Sequence, residues 1–392
     1  MSSKRPKLMN DTEENQLPNI DTILSCFSQL EDPRSPINRV HLLGDLVVIC
    51  IMAVIAGADG PQAIGIWAQT NQEWLKKRLK LPGGIPSHDT LGRLLTALKP
   101  DVFQDCFQLW LQSLAPLDED ASSNQIAIDG KVLKRSHDKR KGLGPLWLVS
   151  AWAVDRSLSL GQLMTDEKSN EITAIPKLLD NIELKDSVVT IDAAGCQKLI
   201  AKKIIDARAD YVLALKGNQK TLHDAVTEYF AKQMENDFAD VKVGTHTETL
   251  TGHGRVDQIT YHQVEIPENV TCFKPWPDLR TIGVAIRDSE GPAQSSSDVR
   301  FYISSLGLEV EKFAGCVRGH WSIETTLHWC LDVTFREDES RVRERTLANN
   351  LAWLKRFTIG LLKQYDDKLS IAMRRRAAGW NNDYLAKVLQ IH

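Results

Sequence analysis

The chain has 392 residues, 42% of them hydrophobic and 25% charged, with a formal net charge of −3. That length allows a large buried core and two or three domains, and the composition is ordinary for a soluble globular protein. The near-neutral charge gives no global sign of nucleic-acid binding, and seven scattered cysteines, never spaced C-x-x-C, exclude a zinc knuckle or disulfide framework and point to a reducing cytosol.

Residues 1–18 are polar and are expected to be a disordered tail. From 19 to 114 the apolar spacing is helical throughout, with breakers at "GADGP", "LPGGIPS" and "KP". The run "LVVICIMAVIA" (46–56) is too short to span a bilayer and lies too deep in the chain for a signal peptide, so it is expected to be a buried helix. In "PGGIPSHDTLGRLL", Ser87 or Asp89 can cap a short helix carrying Arg93. A helix-turn-helix on DNA has this pattern, and so does any small helical bundle. If the region reads DNA, Arg93 with Lys76, Lys77 and Arg78 are its candidate contacts. "APLDEDASSNQ" (115–125) is an acidic linker.

The pattern then changes. "IAIDGK" (126–131), "PLWLVSAWAV" (145–154) and "LSLGQLMT" (158–165) predict three strands, the last two joined at "DRS". A helix at "NEITAIPKLLDNI" precedes strand "SVVTID", helix "QKLIAKKIIDAR", strand "DYVLALK" and helix "NQKTLHDAVTEYFAKQM". Hairpin strands followed by strands alternating with helices predict a mixed five-stranded sheet with helices on both faces, over 126–238. Residues 239–308 form a β-rich insertion with "DSEGPAQSSSD" as an exposed loop, and helices return over 309–392.

Three acidic residues stand out. Asp129 closes the first strand before Gly130, and Asp192 closes the fourth before Ala-Ala-Gly. Asp before Gly is most often a turn former, but two such strand ends in one sheet can meet where ligands collect. In "CVRGHWSIETTLHWCLDVTF", His320, Glu324 and His328 stand at i, i+4 and i+8, beside an apolar stripe of Ile323, Leu327 and Leu331. With Trp321 and Trp329 added, this helix is expected to pack deeply. The two His are about 12 Å apart at 1.5 Å rise per residue, too far to share one zinc ion. Two Asp and a Glu are hard oxygen donors suited to Mg²⁺ or Mn²⁺. A pair of such ions serves in-line phosphoryl transfer.

Local charge is patchy. From Lys131 to Lys141 there are six Lys or Arg against Asp138, and from Arg341 to Arg376 there are ten against three acids. Solvated helix faces account for such runs as well as a bound polyanion does.

The strings "IDGK", "TDEKSNEITAIP", "IDAAGCQ", "LKGNQ", "GHGR", "YISS" and "HWSIETTLHWCLDVTFREDESR", with "DPR" at 32–34 and "GIPSHDT" at 84–90, lie in one order along nearly the whole chain. Together they resemble the H-repeat-associated transposases, which are insertion-sequence DDE transposases. The resemblance implies an RNase H-like catalytic domain with a β-rich insertion, preceded by an all-helical N-terminal domain. It implies a catalytic and metal-holding triad of Asp129, Asp192 and Glu324, a Mg²⁺ or Mn²⁺ cofactor, and cleavage and strand transfer at transposon ends. Its partners would be double-stranded DNA, both terminal inverted repeats and target, bound by a homodimer. The setting would be the bacterial cytoplasm at the nucleoid, with no membrane. The wider superfamily often has Arg four residues before the Glu and Lys seven after; here these are His320 and Leu331. Arg318 and Lys216 are the substitutes. Lys131, Lys216 and Asn218 are candidates for phosphate contact at the strand ends, and Arg374, Arg375 and Arg376 for DNA backbone. The rival readings are a DNA-binding relic that no longer transposes and a metal-dependent nuclease without strand transfer.

Overall fold

A computed structural model describes residues 20–114, 124–165, 171–252, 255–267, 270–291 and 295–391. The tail at 1–18 and the linker at 115–123 lie outside them. Six helices come first: α1 (Ile20–Cys26), α2 (Leu43–Ile55), α3 (Pro61–Thr70), α4 (Gln72–Lys76), α5 (His88–Ala97) and α6 (Pro100–Leu114). The run at 46–56 is the buried α2, with every residue from Asp45 to Ile55 enclosed. Ser87 caps α5, its Oγ accepting from the Thr90 N–H.

The sheet follows, from β1 (Gln125–Leu133), β2 (Leu146–Ala153), β3 (Leu158–Thr165), β4 (Val188–Ile191) and β5 (Asp210–Leu215). Between these run α7 (Glu171–Asp180) and α8 (Lys198–Asp206), and α9 (Lys220–Glu235) comes after. Two long hairpins complete it: β6 (Val243–Gly252), β7 (Arg255–Glu265), β8 (Thr281–Glu290) and β9 (Ser295–Ser304). The order is β3-β2-β1-β4-β5-β9-β8-β7-β6. β1, β4 and β5 are parallel; every other pairing is antiparallel.

The expected five strands are present in sequence, but the sheet is larger than five. β9 pairs with β5 through Val212↔Ser304 to Leu215↔Phe301, so the insertion continues the same sheet to nine strands. The expected loop at 288–298 is also corrected. β8 and β9 stay paired out to Glu290↔Ser295, both exposed, because backbone ladders tolerate polar side chains on a solvated strand; residues 292–294 of that stretch lie outside the described residues.

Helices cover both faces. α7, α8 and α9 share a core with one face of β1, β4 and β5. On the other lie α10 (Val310–Ile323) and α11 (Arg345–Gln364), followed by α12 (Ile371–Trp380) and α13 (Asn382–Val388). The N-terminal helices do not form a core of their own. Ile49, Leu91, Phe107 and Trp110 pack in one cluster with Trp353 and Phe357 of α11 and Leu385 of α13. Asn350 of α11 donates to the Leu95 and Leu98 carbonyls at 2.8 and 3.0 Å, closing the end of α5.

Candidate active site

The parallel pairing of β1 and β4 puts Ile128 opposite Ile191, so the next residues, Asp129 and Asp192, lie side by side. Asp192 follows the end of β4, but Asp129 does not close its strand as expected, because β1 stays paired with β2 through Asp129↔Ser150 to Leu133. Strand spacing there is about 4.8 Å. Asp192 turns out of the strand and caps the short 3-10 turn Ala193–Gly195, its Oδ1 accepting from the Ala194 and Gly195 N–H groups at 3.0 and 3.3 Å. Asn218, at the end of β5, donates to the Ala193 carbonyl at 2.6 Å and braces the same turn.

The third carboxylate arrives on α10. This helix lies close on the sheet because Gly319 leaves room for Gln125: a Cβ at Gly319 would collide with the Gln125 amide. Gln125 donates to the Cys316 carbonyl at 2.7 Å and to Thr190 Oγ1 at 3.0 Å, tying helix to β1 and β4. Glu324 starts a widened π-helical turn, where the Trp329 N–H bonds the Glu324 carbonyl; a second such turn spans Cys330–Thr334. Single π turns inside helices recur at functional sites. Ile323, Leu327 and Leu331 are buried as expected, but Trp329 is 55% exposed, which corrects the deep packing expected for it. The helix is buried on one stripe only, and Glu324 and Trp329 lie on its open side.

Electrostatics gather the group. Burial and the charges of Asp192, Glu324 and Glu171 push the Asp129 carboxyl up to about 7. Burial and neighbouring like charges both favour the protonated form of a carboxyl. His328 faces Asp129 from the helix, Nδ1 to Oδ2 at 3.4 Å. Burial, with Arg356 and Lys131 nearby, pulls His328 down to about 3. His320 is lowered by burial to about 4 and meets Thr190 Oγ1 through Nδ1 at 3.2 Å. Both rings are therefore neutral at pH 7.

Glu171 and His328 had no assigned role in the sequence. Glu171 heads α7, and a Cβ on Gly130 would collide with its carboxyl. Gly130 thus admits a fourth acid to the site. An acidic residue at the start of an amphipathic helix, inside the "TDEKSNEITAIP" string, was the available signal.

The basic candidates divide. Lys131 is buried and pairs with Asp332 at 2.7 Å, so its charge is spent within the chain. Arg318 pairs with Glu248 of β6. Lys216 is exposed beside the strand ends. Arg374 holds Asp367 at 2.6 Å, and Arg375 is buried, binding Asp59 at 2.7 Å and three carbonyls. Their donors serve the fold, so only Arg376 of that triplet is exposed for another partner. In the N-terminal helices, Arg93 is exposed, Lys76 pairs with Glu73, and Arg78 lies over the Trp74 ring.

Among the described residues no three His, Cys, Asp or Glu side chains enclose a metal position as they stand. The chemistry of the donor set nevertheless fits a hard divalent ion: oxygen ligands only, and a carboxyl pushed up by its neighbours that a cation would relieve. Among the same residues, no helix is long and apolar enough to cross a membrane.

Residues 120–361 match the family described as Transposase DDE domain, and residues 24–111 the one described as DDE_Tnp_1-associated. "Putative transposase YncI" of Escherichia coli O157:H7 is 37% identical over 94% of this chain and 95% of its own. "H repeat-associated putative transposase YhhI" of Escherichia coli K12 is 36% identical over 94% and 97%. A shorter relative, "Inactive transposase YbfQ" of the same strain, is 37% identical over 19% of this chain and 88% of its own. A solved piggyBac transposase synaptic complex with hairpin DNA overlaps at a TM-score of 0.42 and 10% identity, across 96% of this chain and 82% of that one. That overlap is too loose to bear on the fold. With its helical N-terminal part and its carboxylate-bearing sheet each matched in turn, the chain belongs to the Transposase DDE domain family, alongside the H repeat-associated transposases.

Proposed function

We propose that the protein cuts and joins DNA at the ends of an insertion sequence, with Asp129, Asp192 and Glu324 as its catalytic carboxylates. One observation carries this reading: the register Ile128↔Ile191 sets Asp129 and Asp192 side by side, under the helix that brings Glu324. The order β3-β2-β1-β4-β5, with β1, β4 and β5 parallel, supports an RNase H-like core extended by the insertion strands.

Asp129 and Asp192 would hold Mg²⁺ or Mn²⁺, with Glu324 completing the set. When bound, divalent metal activates the attacking oxygen and stabilises the leaving one in an in-line displacement. In the first step water attacks a phosphodiester, and the broken bond leaves a 3′-hydroxyl and a 5′-phosphate. In the second that 3′-hydroxyl attacks a target phosphodiester; one P–O bond forms as one breaks, and no outside energy is needed. The chain's own residues orient this chemistry. The Ala194 and Gly195 N–H groups and the Asn218 brace fix the Asp192 carboxylate, and Thr190 fixes the neutral His320. Lys216 and Asn218, exposed just past β5, would meet phosphates, and the N-terminal helices, with exposed Arg93, would read the terminal repeats. The DNA-bound form would be a homodimer, and the compartment the cytoplasm at the nucleoid.

A second reading is a relic that binds DNA without cutting it. The relative named "Inactive transposase YbfQ", similar to part of this chain, favours it. A supercoiled plasmid carrying the inverted repeats that flank the gene separates the two. With Mg²⁺, the full chain should nick and join the repeats, and Asp192→Asn should bind them equally and do neither. An intact plasmid with both Mg²⁺ and Mn²⁺ establishes the relic, and cutting without joining a nuclease.

A further inference from the structure

The loop after β1 and the segment before α11 meet in a depression of about 280 Å³ lined by Arg135, His137, Arg341 and Arg343. Neither basic run of the sequence is absorbed by the carboxylate site, and here parts of both come together. All three arginines are exposed. No ion pair or side-chain hydrogen bond joins any of them to another of the described residues. Glu339, which feels the Arg135 charge, is already held by Arg336. This contrasts with Lys131 and Lys134 beside them, whose charges are answered by Asp332 and Asp338.

The depression is held in shape. Asp138 and Leu143 bridge the loop with mutual backbone bonds at 3.0 Å, and the Asp138 Oδ1 caps the turn Lys139–Lys141 at the Arg140 N–H. Arg345 donates to the Gly144 carbonyl at 3.1 Å, pinning the loop to the start of α11. Three unanswered guanidinium forks around one hollow match tetrahedral phosphate oxygens better than carboxylates scattered on a protein surface. The lining has no Phe, Tyr or Trp on which a base could stack, so a duplex backbone fits it better than a single strand.

From this geometry we infer that Arg135, Arg341 and Arg343 form a phosphate clamp for the backbone of duplex DNA, separate from the catalytic carboxylates. β1 continues four residues beyond Asp129 to Leu133, roughly 13 Å at 3.3 Å per residue. The loop that carries Arg135 therefore begins that far along the strand from Asp129. The clamp rests on the proposed function only for the identity of the polyanion, and its test needs no cleavage.

The full chain and the triple variant Arg135→Gln, Arg341→Gln, Arg343→Gln would be compared for binding to a random-sequence DNA duplex across a salt series without divalent metal. Each phosphate contact adds about 0.9 to the slope of log affinity on log salt. The variant should flatten the slope by up to roughly 2.7, so that the fall between 50 and 200 mM salt shrinks up to about 40-fold. Arg→Lys at the same three positions should keep the slope, and an unchanged thermal midpoint in both variants shows that the fold is intact. An unchanged slope in the Gln variant overturns the clamp, as does wild-type protein that fails to bind duplex DNA at low salt. Slope loss on an RNA duplex alone, or competition by inorganic phosphate with no change on DNA, also overturns it. If the slope flattens while the plasmid assay shows no cutting, the clamp holds and the catalytic reading fails.

Discussion

Two charge-rich regions of this molecule are built on opposite principles. Where β4 ends beside β1, Asp129, Asp192, Glu324 and Glu171 crowd like charges together, and burial with those charges pushes Asp129 up to about 7. In α11 and the turn before it, Arg356 and Glu337 are 0% and 2% exposed and paired at 2.9 Å, with Ser150 Oγ and the Ala352 carbonyl accepting further Arg356 N–H groups. Arg374 with Asp367 and Arg375 with Asp59 repeat that pattern in α12. Matched charge is what a fold needs in order to bury ions. Unmatched charge of one sign is a cost that stability alone does not explain, and it marks the place where a ligand of opposite charge belongs.

The sharpest break of this contrast is Asp129→Asn. Losing one hard oxygen ligand should lower cleavage by roughly a thousandfold or more, since metal stabilisation contributes several kcal/mol. The same change should stabilise the metal-free fold. A carboxyl raised from its ordinary value to about 7 keeps its proton when folded and loses it when unfolded between about pH 4 and 7. Wild-type stability, relative to Asp129→Asn, therefore falls as pH rises through that window and levels off above it, by on the order of 2–4 kcal/mol at most. Mg²⁺ should recover stability in the wild type more at pH 8 than at pH 5, where protons compete. Thermal melts at several pH values check both; a difference curve that rises with pH would contradict the assignment.

Breaking a matched pair should do the reverse. Arg356→Met strands the buried Glu337 charge and should cost about 3–5 kcal/mol in urea unfolding. Adding Glu337→Leu should restore part of it, because the stranded carboxylate is gone while buried Lys355 loses the Glu337 charge that supports its own.

A finer test lies within one triplet. Arg375→Ala loses Asp59, three carbonyl acceptors and its place over the Phe335 ring, and should cost about 2–3 kcal/mol. Arg376→Ala, at an exposed site, should stay within about 0.5 kcal/mol. Equal effects would dissolve the distinction between structural and available arginines in α12.

A loss smaller than that at Arg375 is expected in the N-terminal helices. Ser87→Ala removes the α5 cap and should cost about 1 kcal/mol. Deletion of residues 20–114 is the wrong probe there, because it would strip one side of the core that α11 and α13 complete.

Much of the site was legible in local pattern. The strand runs in "IDGK" and "IDAAG" put Asp129 on β1 and Asp192 just past β4, though β1 runs on to Leu133 because its pairing with β2 continues, and the Ile323, Leu327, Leu331 stripe oriented the helix that bears Glu324. Charge counts misled where the partner was distant. "MRRRA" looks the same whether its arginines meet phosphate or Asp59, which lies more than three hundred residues earlier. Trp329 misled because aromatic residues signal burial on average, while helical spacing puts position 329 on the side opposite Ile323, Leu327 and Leu331, where it is exposed.

What the sequence determined by itself is local: the periodicity of each helix and strand, the Ser87 cap, the apolar α2, and the collinear strings that carry the family. What only the tertiary structure decided is the choice of partners. It joined β9 to β5 and made one nine-stranded sheet; it closed the N-terminal helices on α11 through Asn350; it spent Lys131 on Asp332 and left Arg135, Arg341 and Arg343 unspent. Side-chain periodicity records whether a residue is buried and on which face. It does not record what lies against that face, because such pairings join segments remote in the chain and are selected together, by register and shape, when the whole core closes.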